Sequence, residues 1–218
     1  MSDKTVYRKC FPMSQATSTP SNAGLSTSRE RIANATIDEI LKVGVLGLRI
    51  ANVAKSAGVS TPLIYKYFGN RESLITEVLA VRIAHDFIED NERLLSKIPQ
   101  DTTVLDPQVI AGLMPKPEEK WRQDNRWLRI EAKAASQRIP ELRARLSNVI
   151  EEMESASEQT IITARLISKN TSPIPARTIA WAIVSFADGF ANRDLADKSV
   201  DDESYLLFIT DFLQRYVL

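Results

Sequence analysis

The chain has 218 residues with 28 basic and 28 acidic side chains, but the balance is uneven: residues 1–72 hold ten of the Lys/Arg and five of the Asp/Glu, leaving 18 and 23 behind them. A basic front and an acidic rear suit a protein that sets one end on a polyanion, and 44% hydrophobic residues are ample for a core. The single cysteine, Cys10, excludes an intramolecular disulfide, and neither a membrane-length apolar run nor a signal-like start is present, so a cytoplasmic protein with no membrane partner is expected.

Residues 1–25 are rich in Ser, Thr, Pro, Asn and Gln and are expected to form a disordered tail; Lys4, Arg8 and Lys9 also suit a basic arm along a phosphate backbone. Thr27 and Glu30 form a capping box for a first helix, with Ala33, Ile37, Ile40 and Leu41 predicted inward and Gly44 at its end. From Ile50 the spacing of Val53, Ala54 and Ala57 predicts a short helix ended by Gly58. Ser60 is placed to cap the next, with Thr61 and Pro62 in its first turn and Ile64 and Phe68 facing inward. Gly69 and Asn70 break it, and Asn70 caps a long helix beginning Arg71-Glu72. Two helices around a glycine-containing turn, the second showing hydroxyls, a cation and rings, predict a helix-turn-helix.

The residues that carry this reading also resemble a known family. Gly44-x-x-Gly47-Leu48, Val53-Ala54-Lys55-x-Ala57-Gly58-Val59-Ser60 and Leu63-Ile64-Tyr65-x-Tyr67-Phe68-x-Asn70-Arg71-Glu72-x-Leu74 are similar, without gaps from about Ile32 to Leu74, to the DNA-binding domain of TetR-family repressors. Trp127-Leu128-x-Ile130-Glu131, Pro140-Glu141-Leu142-Arg143 and Ala187-Asp188-Gly189-Phe190 resemble segments of that family's regulatory domains. The resemblance implies groove contacts on the second short helix. Leu63 departs from the small hydroxylated residue usual there, and Arg49 from the usual Thr or Ser cap.

Behind the front, the long helix is predicted from Arg71 to about Leu95, with Leu74, Val78, Val81, His85 and Ile88 as its buried stripe. Pro99, Pro107, Pro115 and Pro117 interrupt the next stretch, where Asp106-Pro107 starts a short helix through Met114. Further helices are predicted over about 118–137 and from Pro140, the latter with the stripe Leu142, Leu146, Val149, Met153, Ala156, Thr160, Ala164 and Ile167. After Asn170–Pro175, a helix carries bulky Ile179, Ile183, Phe186 and Phe190 beside small Ala180, Val184, Ala187 and Ala191. The last, from Asp202, carries Tyr205, Phe208, Ile209, Phe212, Leu213 and Tyr216. Helices this apolar need partners on more than one side. Ile179, Ile183, Phe186, Phe190, Phe208 and Phe212 are therefore expected in an intersubunit four-helix bundle; the other reading buries both helices within one subunit.

The expectation is an all-α chain of about nine helices: a tail to residue 25, a helix-turn-helix DNA-binding domain over 26–72, and a helical ligand-binding and dimerisation domain over 73–218. Tyr65, Lys66, Tyr67 and Arg71 suit phosphate, whereas Thr61, Pro62 and Leu63 suit base edges and thymine methyls. Asn52 could donate to a phosphate, and Arg49 has two readings, a phosphate contact or a solvated side chain. A homodimer with recognition helices about 34–36 Å apart would read an inverted repeat in double-stranded DNA. A small-molecule effector would act among the rear helices, with His85, Trp121, Asn125, Arg126, Trp127, Glu131 and Asp188 as candidate pocket groups; for His85 the plainer reading is a hydrogen-bonded core histidine. An enzyme is not expected, nor a metal or cofactor: one histidine, a cysteine in the tail and no glycine-rich phosphate loop leave little to build with. The remaining alternative is a helical ligand-binding or adaptor dimer that does not touch DNA.

Overall fold

The computed structural model describes residues 27–98, 104–114, 119–196 and 201–218. The expected tail, with Cys10, and Pro99, Pro115 and Pro117 lie outside the described residues. All elements among the described residues are helices: α1 (Ser28–Gly47), α2 (Ile50–Ala57), α3 (Thr61–Phe68), α4 (Arg71–Ser96), α5 (Pro107–Leu113), α6 (Lys120–Ser136), α7 (Pro140–Ser168), α8 (Ala176–Gly189), α9 (Ala191–Leu195) and α10 (Asp202–Tyr216). Phe190, between α8 and α9, keeps a helical backbone, so the pair can be taken as one bent helix, giving nine.

Local chemistry accounts for most helix ends. The Thr27 hydroxyl accepts from the Glu30 amide at 3.2 Å, and the Glu30 carboxylate accepts from the Thr27 amide at 2.7 Å. Asn70 accepts from the Ser73 amide to start α4, and Asp106 accepts from Gln108 and Val109 to start α5. Gly58 ends α2 in the left-handed conformation, φ 64°. Ser60 differs from expectation: its backbone is extended, as a cap requires, but its side chain makes no capping hydrogen bond. Pro62 helps there, since its fixed φ suits a first turn and it presents no amide.

The apolar interior falls into two clusters. One joins α1–α4 to α6 and the first half of α7, with Ile32, Ile40, Val53, Ile64, Leu74, Ile75, Leu79, Leu128 and Leu142 almost completely buried. The other lies at the far end and gathers Ala111, Ile161, Ala164, Ile179, Ala180, Ile209, Leu213 and Val217. Arg165 braces this second cluster by donating to the Tyr216 and Ile174 carbonyls.

Three stripes need correction. In α1 the inner face is Ile32, Ala35, Thr36, Ile37 and Ile40, while Leu41 is exposed. Thr36 escapes an apolar search because it is polar; its hydroxyl is satisfied inside the helix by donating to the Ile32 carbonyl at 2.7 Å. In α4 the buried face is Leu74, Ile75, Val78, Leu79, Ile83 and Ala84, whereas Val81 and His85 are exposed. The buried face is centred to one side of the expected stripe: Ile75, Leu79 and Ile83 recur every four residues at about 100–180° around the helix from Leu74, away from Val81 and His85. In α7 the stripe holds to Met153, then moves to Ile161 and Ala164, leaving Thr160 and Ile167 outside.

Gly44 marks a break inside α1. Its φ of 71° and ψ of 169° lie in a region open essentially to glycine alone, and the last turn, Val45–Gly47, starts afresh beyond it. A Cβ here would also stand 3.2 Å from both Glu131 carboxylate oxygens. Gly44→Ala should therefore lower unfolding free energy by about 1–3 kcal/mol in urea titrations. Gly112→Ala, in a helix with nothing within 4 Å of the added methyl, should cost nothing or gain about 0.5–1 kcal/mol.

Candidate nucleic-acid interface

Ile64 and Phe68 anchor α3 in the core, and that anchoring fixes what the helix shows to solvent. Tyr65, Lys66 and Tyr67 are exposed, with Pro62; Thr61 and Leu63 are half-buried on the leading turn. Among the described residues, Tyr65 and Lys66 make no hydrogen bond or ion pair, so the phenol and ammonium keep their full donor capacity. Tyr67 packs edge-on against Phe68, with ring centroids 6.4 Å apart. Arg49 is exposed at the start of α2 and makes no side-chain cap.

Two of the expected phosphate ligands are engaged within the chain. Asn52 donates to the Glu39 carboxylate at 2.6 Å. The Arg71 guanidinium donates to the Val45 carbonyl at 2.6 Å and the Leu48 carbonyl at 3.2 Å, the corner where α1 hands over to α2. A guanidinium bonded to carbonyls at this corner braces the helix-turn-helix, a role that the reading of Arg71 as a phosphate ligand did not include.

Behind the helix-turn-helix, the structure does not gather the candidate pocket groups around one cavity. They are spread along α4, α6 and α8, several of them in or beside a set of ion pairs. Arg122 donates to Asp90 at 2.6 Å, Arg126 to Asp194 at 3.0 Å, and Arg129 to Asp188 at 2.7 Å; Lys133 completes the Asp188 pair. Arg82 donates to Asp86 and to buried Asn125. Trp121 lies against the guanidinium groups of Arg93 and Arg122, at 4.7 and 4.4 Å from the ring centre. His85 is not a core residue; its side chain is 52% exposed, 3.8 Å from Asp86 and 3.9 Å from Glu89. Those three groups are close enough to consider for a cation, but Asp86 is held by Arg82. Trp127 and Glu131 line a cleft of about 140 Å³ with Ile40, Leu41, Gly44 and Leu128, against α1. A shallower groove of about 400 Å³ runs between α4 and α7, lined by polar groups from Ser73 to Asn148.

The acids in this network titrate in opposite senses. Burial would raise the Asp188 carboxyl, but hydrogen bonds from Arg129 and Lys133 outweigh it and hold it below 3.8. Burial raises Asp86 and Asp90 despite Arg82 and Arg122 beside them.

At the far end, six rings follow one another from α10 into α8 and back: Tyr216, Phe212, Phe208, Phe186, Phe190 and Tyr205, with neighbouring centroids 5.1–6.4 Å apart. Phe186 and Phe208 remain 47% and 52% exposed, and Trp181 and Leu207 are exposed nearby in sequence. Ile183, Phe190 and Phe212 are half-buried. Ile179 is 5% exposed, inside the second cluster, and so has no free surface for an interface. Sequence reasoning missed Asp90 and Asp194, whose partners lie 32 and 68 residues away; no local spacing announces such pairs.

An N-terminal helix-turn-helix is joined through α4 to a larger helical body. Residues 32–78 match the bacterial regulatory proteins of the tetR family. Solved structures similar over nearly the whole chain include a putative TetR-family transcriptional regulator from Rhodococcus sp. (20% identity, 88% of this chain and 98% of that one, TM-score 0.67). Others are a putative transcriptional regulator from Saccharomonospora viridis in complex with choline (16% identity, 87% and 97%, TM-score 0.65) and the fatty acid degradation regulator FadR from Bacillus halodurans (16%, 88% and 96%, TM-score 0.63). No curated protein sequence matches the chain. Residues 32–78 thus resemble the DNA-binding segment of the tetR family, and the chain shares the overall helical fold of these solved structures. No helix among the described residues is long and apolar enough to cross a membrane.

Asp188 gives a test of the ion-pair set. Its lowered carboxyl adds stability that is complete above the unfolded value near 3.8 and is lost as pH falls through the folded value. Asp188→Asn should cost about 1–3 kcal/mol at pH 7, with the difference from wild type closing below pH ~4 in urea unfolding. Asp86 and Asp90 act with the opposite sign, gaining stability as pH falls.

Proposed function

We propose that the chain is a ligand-responsive transcriptional repressor that binds an inverted repeat as a homodimer and leaves it when a small-molecule effector binds the helical body. The observation that carries this is the outward face of α3, where Tyr65 and Lys66 stand exposed with unspent donors while Ile64 and Phe68 lock the helix in place. Tyr65, Lys66 and Tyr67 hold phosphates. Thr61, Pro62 and Leu63 meet base edges, Leu63 favouring thymine methyls. Arg49, exposed at the head of α2, adds a phosphate contact. The N-terminal tail supplies further cations.

The half-exposed rings of α8 and α10 support the dimer. A row of aromatic side chains open to solvent is costly for a lone subunit and is covered when two copies form a four-helix bundle. Phe186, Phe208, Phe212, Phe190 and Ile183 are its contacts. The effector acts among α4, α6, α7 and α8, where ligand binding shifts the balance between two spacings of the recognition helices. The adaptor reading leaves the free donors of α3 without a purpose.

A gel shift with the chain's own promoter region separates these readings: retarded DNA supports the regulator, and none at moderate salt supports the adaptor. Lys66→Ala should weaken binding to every duplex and reduce the salt slope by about one. Leu63→Ala should instead change which bases are selected; uniform loss would contradict its place at a base edge. Phe186→Ser with Phe208→Ser should give monomers in sedimentation, and an intact dimer would remove this face from the interface.

A further inference from the structure

The break at Gly44 exposes an amide that the helix cannot satisfy. With Gly44 out of helical conformation, the Val45 N–H donates to the Glu131 carboxylate of α6 at 2.9 Å, 86 residues away. Val45 is buried, so this amide has no ready access to water. One residue's backbone is thus held from both sides: its N–H by Glu131, its carbonyl by Arg71, whose guanidinium also holds Leu48. Leu48 immediately precedes Arg49 and α2, so these bonds fix the angle at which the helix-turn-helix leaves α1.

Glu131, on α6, differs from the acids that face this helix. Asp90, Asp188 and Asp194 are each matched by an arginine. Glu131, among the described residues, has the Val45 amide and no ion pair. It also lines the 140 Å³ cleft beside Trp127 and Leu41, which gives the carboxylate somewhere to go if α6 moves. A charge-assisted bond to a backbone amide is strong while made and is lost over a displacement of about an ångström.

We propose that Glu131 is a positioning residue for DNA reading: as a cap donated by α6 to the α1–α2 corner, it sets the orientation of α2 and α3. A shift of α6 withdraws the cap and frees the corner, a second route from the body to the DNA-reading pair beside the covalent one through α4. This rests on the regulator reading above, but its first test does not need DNA.

Amide hydrogen exchange over residues 43–49 is followed in the full chain for wild type, Glu131→Ala and Glu131→Gln. Loss of the cap should speed exchange in Glu131→Ala by about tenfold or more, and Glu131→Gln, which keeps an acceptor oxygen, should stay near wild type. Unchanged exchange in Glu131→Ala overturns the cap. The same proteins are then titrated with the duplex that wild type selects from a random-sequence pool. Ile161→Ala, buried in the distant second cluster, serves as a control for general destabilisation. Glu131→Ala should bind about tenfold more weakly, Glu131→Gln should recover most of this, and Ile161→Ala should bind as wild type. Affinity loss no greater than that of Ile161→Ala overturns the positioning role. If wild type selects no duplex, the DNA reading fails, and the exchange result still decides the cap.

Discussion

The architecture depends on one constraint, that α4 must serve the helix-turn-helix and the body with one continuous apolar face in a single core. Leu74 and Ile75 close the helix-turn-helix from below, and Val78, Leu79 and Ile83 pack against the helices of the body. Because a helix is stiff over this length, the orientation of α2 and α3 relative to the body is set at the first turns of α4. The apolar cluster passes through this point without interruption, so the division expected near residue 72 is a change of role and carries no gap in packing. The family match, which runs to residue 78, also extends into α4.

Polar groups then refine what packing establishes. Arg71 and Glu131 grip the two sides of Val45, and the pairs along α6 tie that helix to α4, α8 and α9. Breaking one partner of such a pair leaves a poorly solvated charge, so these links hold geometry more than they add net stability. The far end works differently. There the rings of α8 and α10 leave apolar surface open, and closure by a second copy is the economical way to remove it from water.

The front of the chain was legible because its signals are local. Thr27 and Glu30, Gly58, Asn70 and the inward pair Ile64 and Phe68 each act within four residues, and the structure keeps all of them. Legibility failed where a side chain's role depends on a distant partner. Arg71 reads from sequence as a phosphate ligand because it opens a helix whose free amides attract an anion; its bonds to carbonyls 23 and 26 residues earlier carry no local signal. Glu131 and Asp188 read from sequence as candidate pocket groups, Asp188 as readily as a structural position; the donors that reach them, 86 and 59 residues away, are not visible locally. The α4 stripe was misplaced because the helix is apolar on two adjoining faces, and only packing against the body decides that Ile75, Leu79 and Ile83 turn inward while Val81 and His85 stay outside.

Hydroxyl-radical footprinting of the full chain on a duplex it selects from a random pool tests the central claim most directly. Two recognition helices presented by a symmetric body should protect two blocks related by a dyad, with centres about 10 base pairs, or 34–36 Å, apart. Protection of a single block, or diffuse protection indistinguishable from that on random duplex, would contradict it.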